Sequence, residues 1–460
     1  MKKLHLAAFY ILLATFFILP LGTHAAVDDI TAPASAKALY KRLDDAVFQI
    51  RIIDTLANEK NVIGSGFRVS EQNHFITNYH VVSTAASNPD AYTIEYMTED
   101  GRTGKLVLLA IDVINDLALL KAAQPATDIQ AAKPFYLHLA QDDLQKGDHV
   151  FSMGNPHDLG MTIIEGVYNG FLEKTFFDKI LFSGALNPGM SGGPAFNAKG
   201  EVIGVNVAIH SDDIGYLVPV RFVKALIHDY LQEDHTEEKY PISKQSWEES
   251  IETQLYKTQD EIFTKILHEE WGTQKFGAFQ IPKATSSAIK CWSTNHSEND
   301  EQHHSHNWIR CRNEGGIYIS SDYYTGQMGY NIEQVSTKRL SRTAFAEFYS
   351  NRVFGEPNLY DSYRNEKSSQ GFTCKRDFIT LAAKQFIAAF CTRGQTKFKS
   401  LYDTYSSIAL LNSNKDGYRI EIGLEAVSKE NAIRFHEKFL KHVDLVTLQQ
   451  KPALTLEVMR

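Results

Sequence analysis

Between Val47 and about residue 220, apolar positions fall in short runs rich in β-branched residues, broken by Gly, Asn and Asp. Examples are Val47-Phe48-Gln49-Ile50-Arg51-Ile52, Gly66-Phe67-Arg68-Val69, Tyr92-Thr93-Ile94-Glu95-Tyr96, Lys105-Leu106-Val107-Leu108-Leu109, His149-Val150-Phe151-Ser152-Met153 and Glu201-Val202-Ile203-Gly204-Val205. Short runs with turn residues between them predict many short strands, hence barrels or a sandwich. A helical pattern from about Ser35 to Asp44 leads into this region, and another from Val220 to Leu231 closes it.

The pattern then changes. The acidic and polar stretch Glu233-Asp234-His235-Thr236-Glu237-Glu238-Lys239 reads as a linker, taken as 233–245, and a helix is expected from Trp247 to Glu270. Two similar units follow, at about 273–355 and 368–445, making the C-terminal region 246–460 an α+β unit. The first carries Cys291 and Cys311, then Gly329-Tyr330-Asn331-Ile332-Glu333, then a helical stretch near Arg342–Val353. The second carries Cys374 and Cys391, then Gly417-Tyr418-Arg419-Ile420-Glu421, then a helical stretch near Lys429–Val443. Matching features lie 80 to 88 residues apart, which reads as a divergent duplication, with chance similarity as the alternative.

With 460 residues, 43% of them hydrophobic and 22% charged, the chain has material for two or three domains with full cores. Lys2 and Lys3, an uncharged apolar run from Leu4 to Leu21 and the small-residue site Thr23-His24-Ala25-Ala26 read as a secretory signal over 1–26. The alternative is an uncleaved anchor, since the apolar run is long for a signal core. Removing 1–26 deletes two lysines and no acid, moving the net charge from −8 to −10. That balance excludes nucleic acid as a partner, because phosphate binding needs a basic patch. No later apolar run is long enough to span a bilayer, so no membrane span is expected once the signal is removed. Export to the periplasm and release outside the cell are not separated by such a signal. All four cysteines lie beyond residue 290, and an even count in an exported chain suggests disulfides. Of three pairings, Cys291–Cys311 and Cys374–Cys391 are favoured, because each pair brackets a segment able to fold back as a hairpin.

The chemistry lies in Leu186-Asn187-Pro188-Gly189-Met190-Ser191-Gly192-Gly193-Pro194, one serine in a glycine-rich turn. Such a turn can converge backbone N–H groups beside a hydroxyl, as acyl transfer requires for the developing oxyanion. Ser191 needs a base, and His80 follows a strand in Phe75-Ile76-Thr77-Asn78-Tyr79-His80-Val81-Val82. The base needs an acid to fix its tautomer, and Asp116 heads the apolar strand Asp116-Leu117-Ala118-Leu119-Leu120-Lys121. Each alone has a bland reading: a strand-end histidine, a capping aspartate, a loop serine.

The order His, Asp, Ser over short strands resembles trypsin-like serine proteases, and the motif wording resembles the HtrA/Deg branch. The resemblance rests on Gly64-Ser65-Gly66-Phe67, Thr77-Asn78-Tyr79-His80-Val81-Val82, Asp116-Leu117-Ala118-Leu119-Leu120-Lys121, Met153-Gly154-Asn155-Pro156, Asn187-Pro188-Gly189-Met190-Ser191-Gly192-Gly193-Pro194 and Ile214-Gly215-Tyr216-Leu217-Val218-Pro219-Val220. It covers roughly residues 35–232, within a domain taken as 27–232. It implies two six-stranded antiparallel β-barrels with the site in the crevice between them. His80 would be base then acid, Asp116 its orienter and Ser191 the nucleophile, with Gly189 and Ser191 N–H groups as oxyanion hole. It further implies that Ala185, six residues before Ser191, floors the specificity pocket, with Val207-Ala208-Ile209 as one wall. An apolar floor offers Arg or Lys no partner, so cleavage after small or aliphatic residues is expected. Protein or peptide substrates are implied, and no cofactor or metal. HtrA relatives often trimerise, which leaves a homo-oligomer open. Two departures stand out: Met190 replaces the usual Asn, and no PDZ-like segment follows the protease.

The segment from His296 to His306 is rich in metal-capable side chains, read as a solvated hairpin tip rather than a metal site, since no regular ligand spacing is evident. Tyr323, Tyr324, Tyr330, Tyr360, Tyr363, Tyr402 and Tyr405 fit either a binding face or half-buried strands. The leading expectation is an exported serine endopeptidase, with a role in protein quality control. The competing one is a binding or chaperone-like protein whose C-terminal module does the main work. A catalytically silent adhesin is a third reading.

Overall fold

A computed structural model of the chain describes residues 35–123, 135–211, 214–232, 244–299, 301–354, 371–411 and 414–446. The expected signal 1–26, linker residues 233–243 and Tyr360 and Tyr363 lie outside them. Among the described residues no helix is long and apolar enough to cross a membrane.

Two closed six-stranded antiparallel barrels form the first half, as the sequence resemblance implies. Helix α1 (Ala36–Leu43) precedes β1 (Val47–Asp54), β2 (Glu59–Arg68), β3 (His74–Thr77), helix α2 (Tyr79–Ser87), β4 (Tyr92–Met97), β5 (Thr103–Asp112) and β6 (Leu117–Ala122). These strands close in the order β1-β2-β3-β6-β5-β4. The second barrel comprises β7 (His149–Gly154), β8 (Thr162–Phe171), β9 (Ile180–Phe182), β10 (Pro194–Phe196), β11 (Val202–Ser211) and β12 (Ile214–Pro219), in the order β10-β11-β12-β9-β8-β7. Helix α3 (Val220–Gln232) follows and buries Val223 and Leu226 in a core shared by both barrels.

The C-terminal half is α+β. Helix α4 (Lys244–His268) leads into β13 (Thr273–Phe276) and β14 (Phe279–Pro282), then β15 (Ile289–His296), β16 (Ser305–Asn313), β17 (Ile317–Ser320), β18 (Tyr323–Thr325) and β19 (Met328–Ser336). Helix α5 (Arg342–Phe354) precedes β20 (Thr373–Leu381), β21 (Lys384–Gly394), β22 (Tyr402–Leu410), β23 (Asp416–Val427), helix α6 (Lys429–Lys441) and β24 (Asp444–Leu445). A seven-stranded sheet runs β15-β16-β19-β23-β22-β21-β20, so the two cysteine-bearing segments meet at the central pair β19 and β23. Cys291 bonds Cys311 and Cys374 bonds Cys391, each directly across a strand pair. Tyr330 and Ile332 of β19 pack with Phe435 and Phe439 of α6 on one face. On the other face, Arg352 of α5 and Arg419 of β23 converge on Glu333, and His306 lies 2.6 Å from it. Burial alone would raise Glu333, but His306, Arg419 and Arg352 outweigh it and hold its pKa at about 2. His296 faces His306 at the end of the β15–β16 pair, so part of the histidine-rich segment is strand. Among the described residues no three His, Cys, Asp or Glu side chains converge on a metal-sized site.

The hairpin β17–β18 does not join the seven-stranded sheet; it leaves it and packs on α2 of the first barrel. Ile317, Ile319 and Tyr323, with Trp247, Ile251 and Leu255 of α4, share one apolar cluster with Tyr79, Val82 and Ala85 of α2. Polar links run along the same seam: Gln254 accepts from Val113 N at 2.8 Å and donates to Ile111 O at 3.0 Å.

Buried His436 of α6 commits both ring nitrogens, Nδ1 donating to Ala432 O and Nε2 accepting from Ser406 Oγ. Burial lowers its pKa to about 4. The unfolded chain takes up this proton near pH 6.5 while the folded chain does not until about 4. Acidification through that window therefore favours unfolding, at up to about 1.4 kcal/mol per pH unit. We expect His436→Gln to flatten the pH dependence of the denaturant midpoint between pH 6.5 and 4; an unchanged slope refutes this.

Candidate active site

Two local devices bring His80 and Asp116 together. Asn78 holds the N-cap position of α2 but makes no cap bond of its own. Asp116 supplies it from 36 residues away: Oδ1 accepts from His80 N at 2.8 Å, satisfying an N–H that the helix leaves open. Its other oxygen, Oδ2, lies 2.7 Å from His80 Nδ1. One carboxylate thus fixes both the main chain and the ring of the histidine, leaving Nε2 as the ring's free basic position. Asp116 is itself clamped. It adopts φ +63°, uncommon for a non-glycine residue, in a turn where Asp112 accepts from Asn115 N at 2.9 Å and from Asn115 Nδ2 at 2.7 Å. Asn78 Nδ2 donates to Asp116 O at 2.8 Å, and Lys179 Nζ, from the second barrel, donates to Asn115 O at 3.1 Å. Desolvation lowers the Lys179 pKa, opposed by Asp116 and Asp112.

The Ser191 turn belongs to the second barrel but leans on the first. Ser65 N donates to Ser191 O at 2.7 Å, and Ser65 Oγ donates to Gly189 O at 2.8 Å while accepting from Asn155 N at 3.0 Å. Gly192, at φ +85°, lies so close that a Cβ would sit 2.2 Å from both Ser65 O and Thr77 Oγ1. Only glycine fits there. Asn206 closes the other side, accepting from Ser152 Oγ at 2.8 Å and donating to Met153 O and Met190 O at 3.1 and 3.2 Å. Met190 is fully buried in the second barrel's core, with Val150, Phe182 and Leu217. Met190 is therefore an apolar anchor for the turn.

The orientation of two amides follows from these bonds. Pro188 O accepts from His157 N at 2.8 Å, and Met190 O accepts from Gly193 N at 3.0 Å. In a trans peptide the N–H points opposite to the C=O, so Gly189 N and Ser191 N face away from these donors. Among the described residues neither amide has an acceptor. Ser191 Oγ donates to Val207 O at 3.4 Å, and among the described residues it makes no hydrogen bond to His80.

Ala185 is exposed on the loop between β9 and Ser191, its carbonyl accepting from Asn187 Nδ2 at 3.2 Å. Val207 is half-buried in β11. Ala208 and Ile209 pair in register with Tyr216 and Gly215 of β12, and their side chains lie outside the described residues. Sequence reasoning missed Ser65, Asn78, Lys179 and Asn206 as supports. Ser65 and Asn78 lie inside quoted motifs, where a polar residue between glycines or before a helix was the available signal.

Residues 64–205 match the family model of the trypsin-like peptidase domain. A curated relative from Chlamydia trachomatis serovar D, named "Probable periplasmic serine endoprotease DegP-like", is 37% identical over 37% of this chain and 34% of its own length. One of the same name from Brucella suis biovar 1 is 35% identical over 38% of this chain and 34% of its own. This chain thus spans about a third of the length of those relatives. The crystal structure of the serine endoprotease from Yersinia pestis is 27% identical, covering 44% of this chain and 68% of that one, with a TM-score of 0.37.

Gly192→Ala is expected to destabilise the fold by about 1–3 kcal/mol through overpacking, with a further cost from the left-handed backbone. Thermal unfolding measures this, and a melting temperature equal to wild type would contradict the clamp.

Proposed function

We propose that the chain is an exported serine endopeptidase in which Ser191 is the nucleophile, His80 the general base and acid, and Asp116 the group that orients His80. One observation carries this reading: a histidine is held through Nδ1 by a buried carboxylate, and Gly192 of the serine turn packs against Asn78, two residues before that histidine, while the Gly189 and Ser191 amides have no acceptor among the described residues. In the reaction Ser191 Oγ leaves Val207 O and attacks the scissile carbonyl carbon, and its proton passes to His80 Nε2. The oxyanion takes hydrogen bonds from Gly189 N and Ser191 N, donors fixed before the charge develops. His80 then protonates the departing amine, and water, activated by the same nitrogen, hydrolyses the acyl-enzyme. Asp116 stabilises the imidazolium throughout.

Specificity for small or aliphatic residues is supported by the apolar character of Ala185 and Val207, since a substrate Arg or Lys there would lose its hydration without gaining a charged partner. The Lys2-Lys3 start, the apolar run to Leu21 and the periplasmic naming of the relatives support export, with the periplasm as the working compartment and a role in protein quality control as part of the proposal.

Ser191→Ala should lower kcat by about 10⁴- to 10⁶-fold and abolish labelling by a fluorophosphonate. Retained activity in that variant would sink the assignment. In a peptide library, cleavage mainly after Arg or Lys would overturn the pocket while leaving the nucleophile standing.

A further inference from the structure

The C-terminal half touches the proposed catalytic base directly. The Tyr318 ring, on β17, packs edge-on against the His80 ring, centroids 5.7 Å apart at 68°. Its hydroxyl lies 3.3 Å from Ser83 Oγ, one helical turn beyond His80, and its ring also meets Tyr79 and Tyr324. The hairpin is not a loose flap. Tyr79 Oη donates to Ile319 O at 3.1 Å, and Ile317, Ile319 and Tyr323 are buried in the core that also holds Val81 and Val82.

The mechanical problem it addresses is specific. Asp116 fixes His80 through its main-chain N–H and through Nδ1. A single bond at Nδ1 still lets the imidazole tilt about that bond, swinging Nε2 away from Ser191. A packed ring removes that freedom, and aromatic pairs favour this T-shaped geometry. Resting on the assignment of His80 as base, we propose that Tyr318 is a positioning residue for His80, and that turnover therefore requires the C-terminal half to stay docked on α2. Packing of the ring, not the hydroxyl, carries the effect.

Full-length protein should be compared as wild type, Tyr318→Phe, Tyr318→Leu and Tyr318→Ala. Misplacing a catalytic group by about an ångström costs up to roughly 100-fold in rate. We expect kcat to fall by about 10- to 100-fold in the Ala and Leu variants with KM little changed, and to be retained in Tyr318→Phe. The low-field proton resonance of the His80–Asp116 bond should broaden in Tyr318→Leu and persist in Tyr318→Phe. Wild-type kcat in Tyr318→Leu, which keeps apolar bulk in the core and guards against a folding failure in the Ala variant, overturns the proposal. So does loss of kcat in Tyr318→Phe equal to that in Tyr318→Leu. Unaltered turnover in Ser191→Ala would instead overturn the protease reading itself, so the two failures are distinguishable.

Discussion

The close approach of the Ser191 turn to the first barrel is the constraint on which the site depends. His80 and Asp116 belong to one barrel and Ser191 to the other, so the candidate site needs both barrels. They are joined where Gly192 lies against Ser65 O and Thr77 Oγ1, and where Ser65 N bonds Ser191 O. A side chain at Gly192 would wedge the barrels apart. The same Ser65 bonds Gly189 O and Asn155 N, so one residue ties the barrel interface, the turn and the start of the 155–158 loop together. Two amides are thereby oriented that have no acceptor among the described residues.

Asp116 links secondary structure to chemistry in a second way. By capping α2 it makes the helix that carries His80 depend on the carboxylate that orients His80. The turn presenting Asp116 is held from three directions, by Asp112 within the turn, by Asn78 beneath the helix and by Lys179 from the other barrel. Placing an ammonium near Asp112 and Asp116 offsets part of the desolvation of two carboxylates at this seam.

The C-terminal half is energetically continuous with the first barrel. One apolar cluster runs from β1 through α2 into α4 and the β17–β18 hairpin. Beyond it, the seven-stranded sheet has its own core around α6 and, on its opposite face, a charged cluster around Glu333. The two-barrel region and the C-terminal region therefore meet through buried residues rather than only through the linker.

Local sequence determined the short strands, their turns, the helices near 36, 220, 342 and 429, and the small set of candidate site residues, His80, Asp116 and Ser191. These are legible because periodicity, glycine-rich turns and motif order are properties of neighbouring positions. The cross-strand cysteine pairs were legible for the same reason, since each joins adjacent strands. Only the tertiary structure decided that Asp116 caps α2, that Lys179 braces its turn, that Met190 is a core anchor, and that Tyr318 lies on His80. Each of these contacts joins residues far apart in the chain, and which partner meets which depends on how whole elements pack. The β17–β18 hairpin shows this most plainly. Sequence analysis left Tyr323 and Tyr324 between a binding face and half-buried strands, and only the fold shows that their hairpin leaves its own sheet to press on α2 of the first barrel.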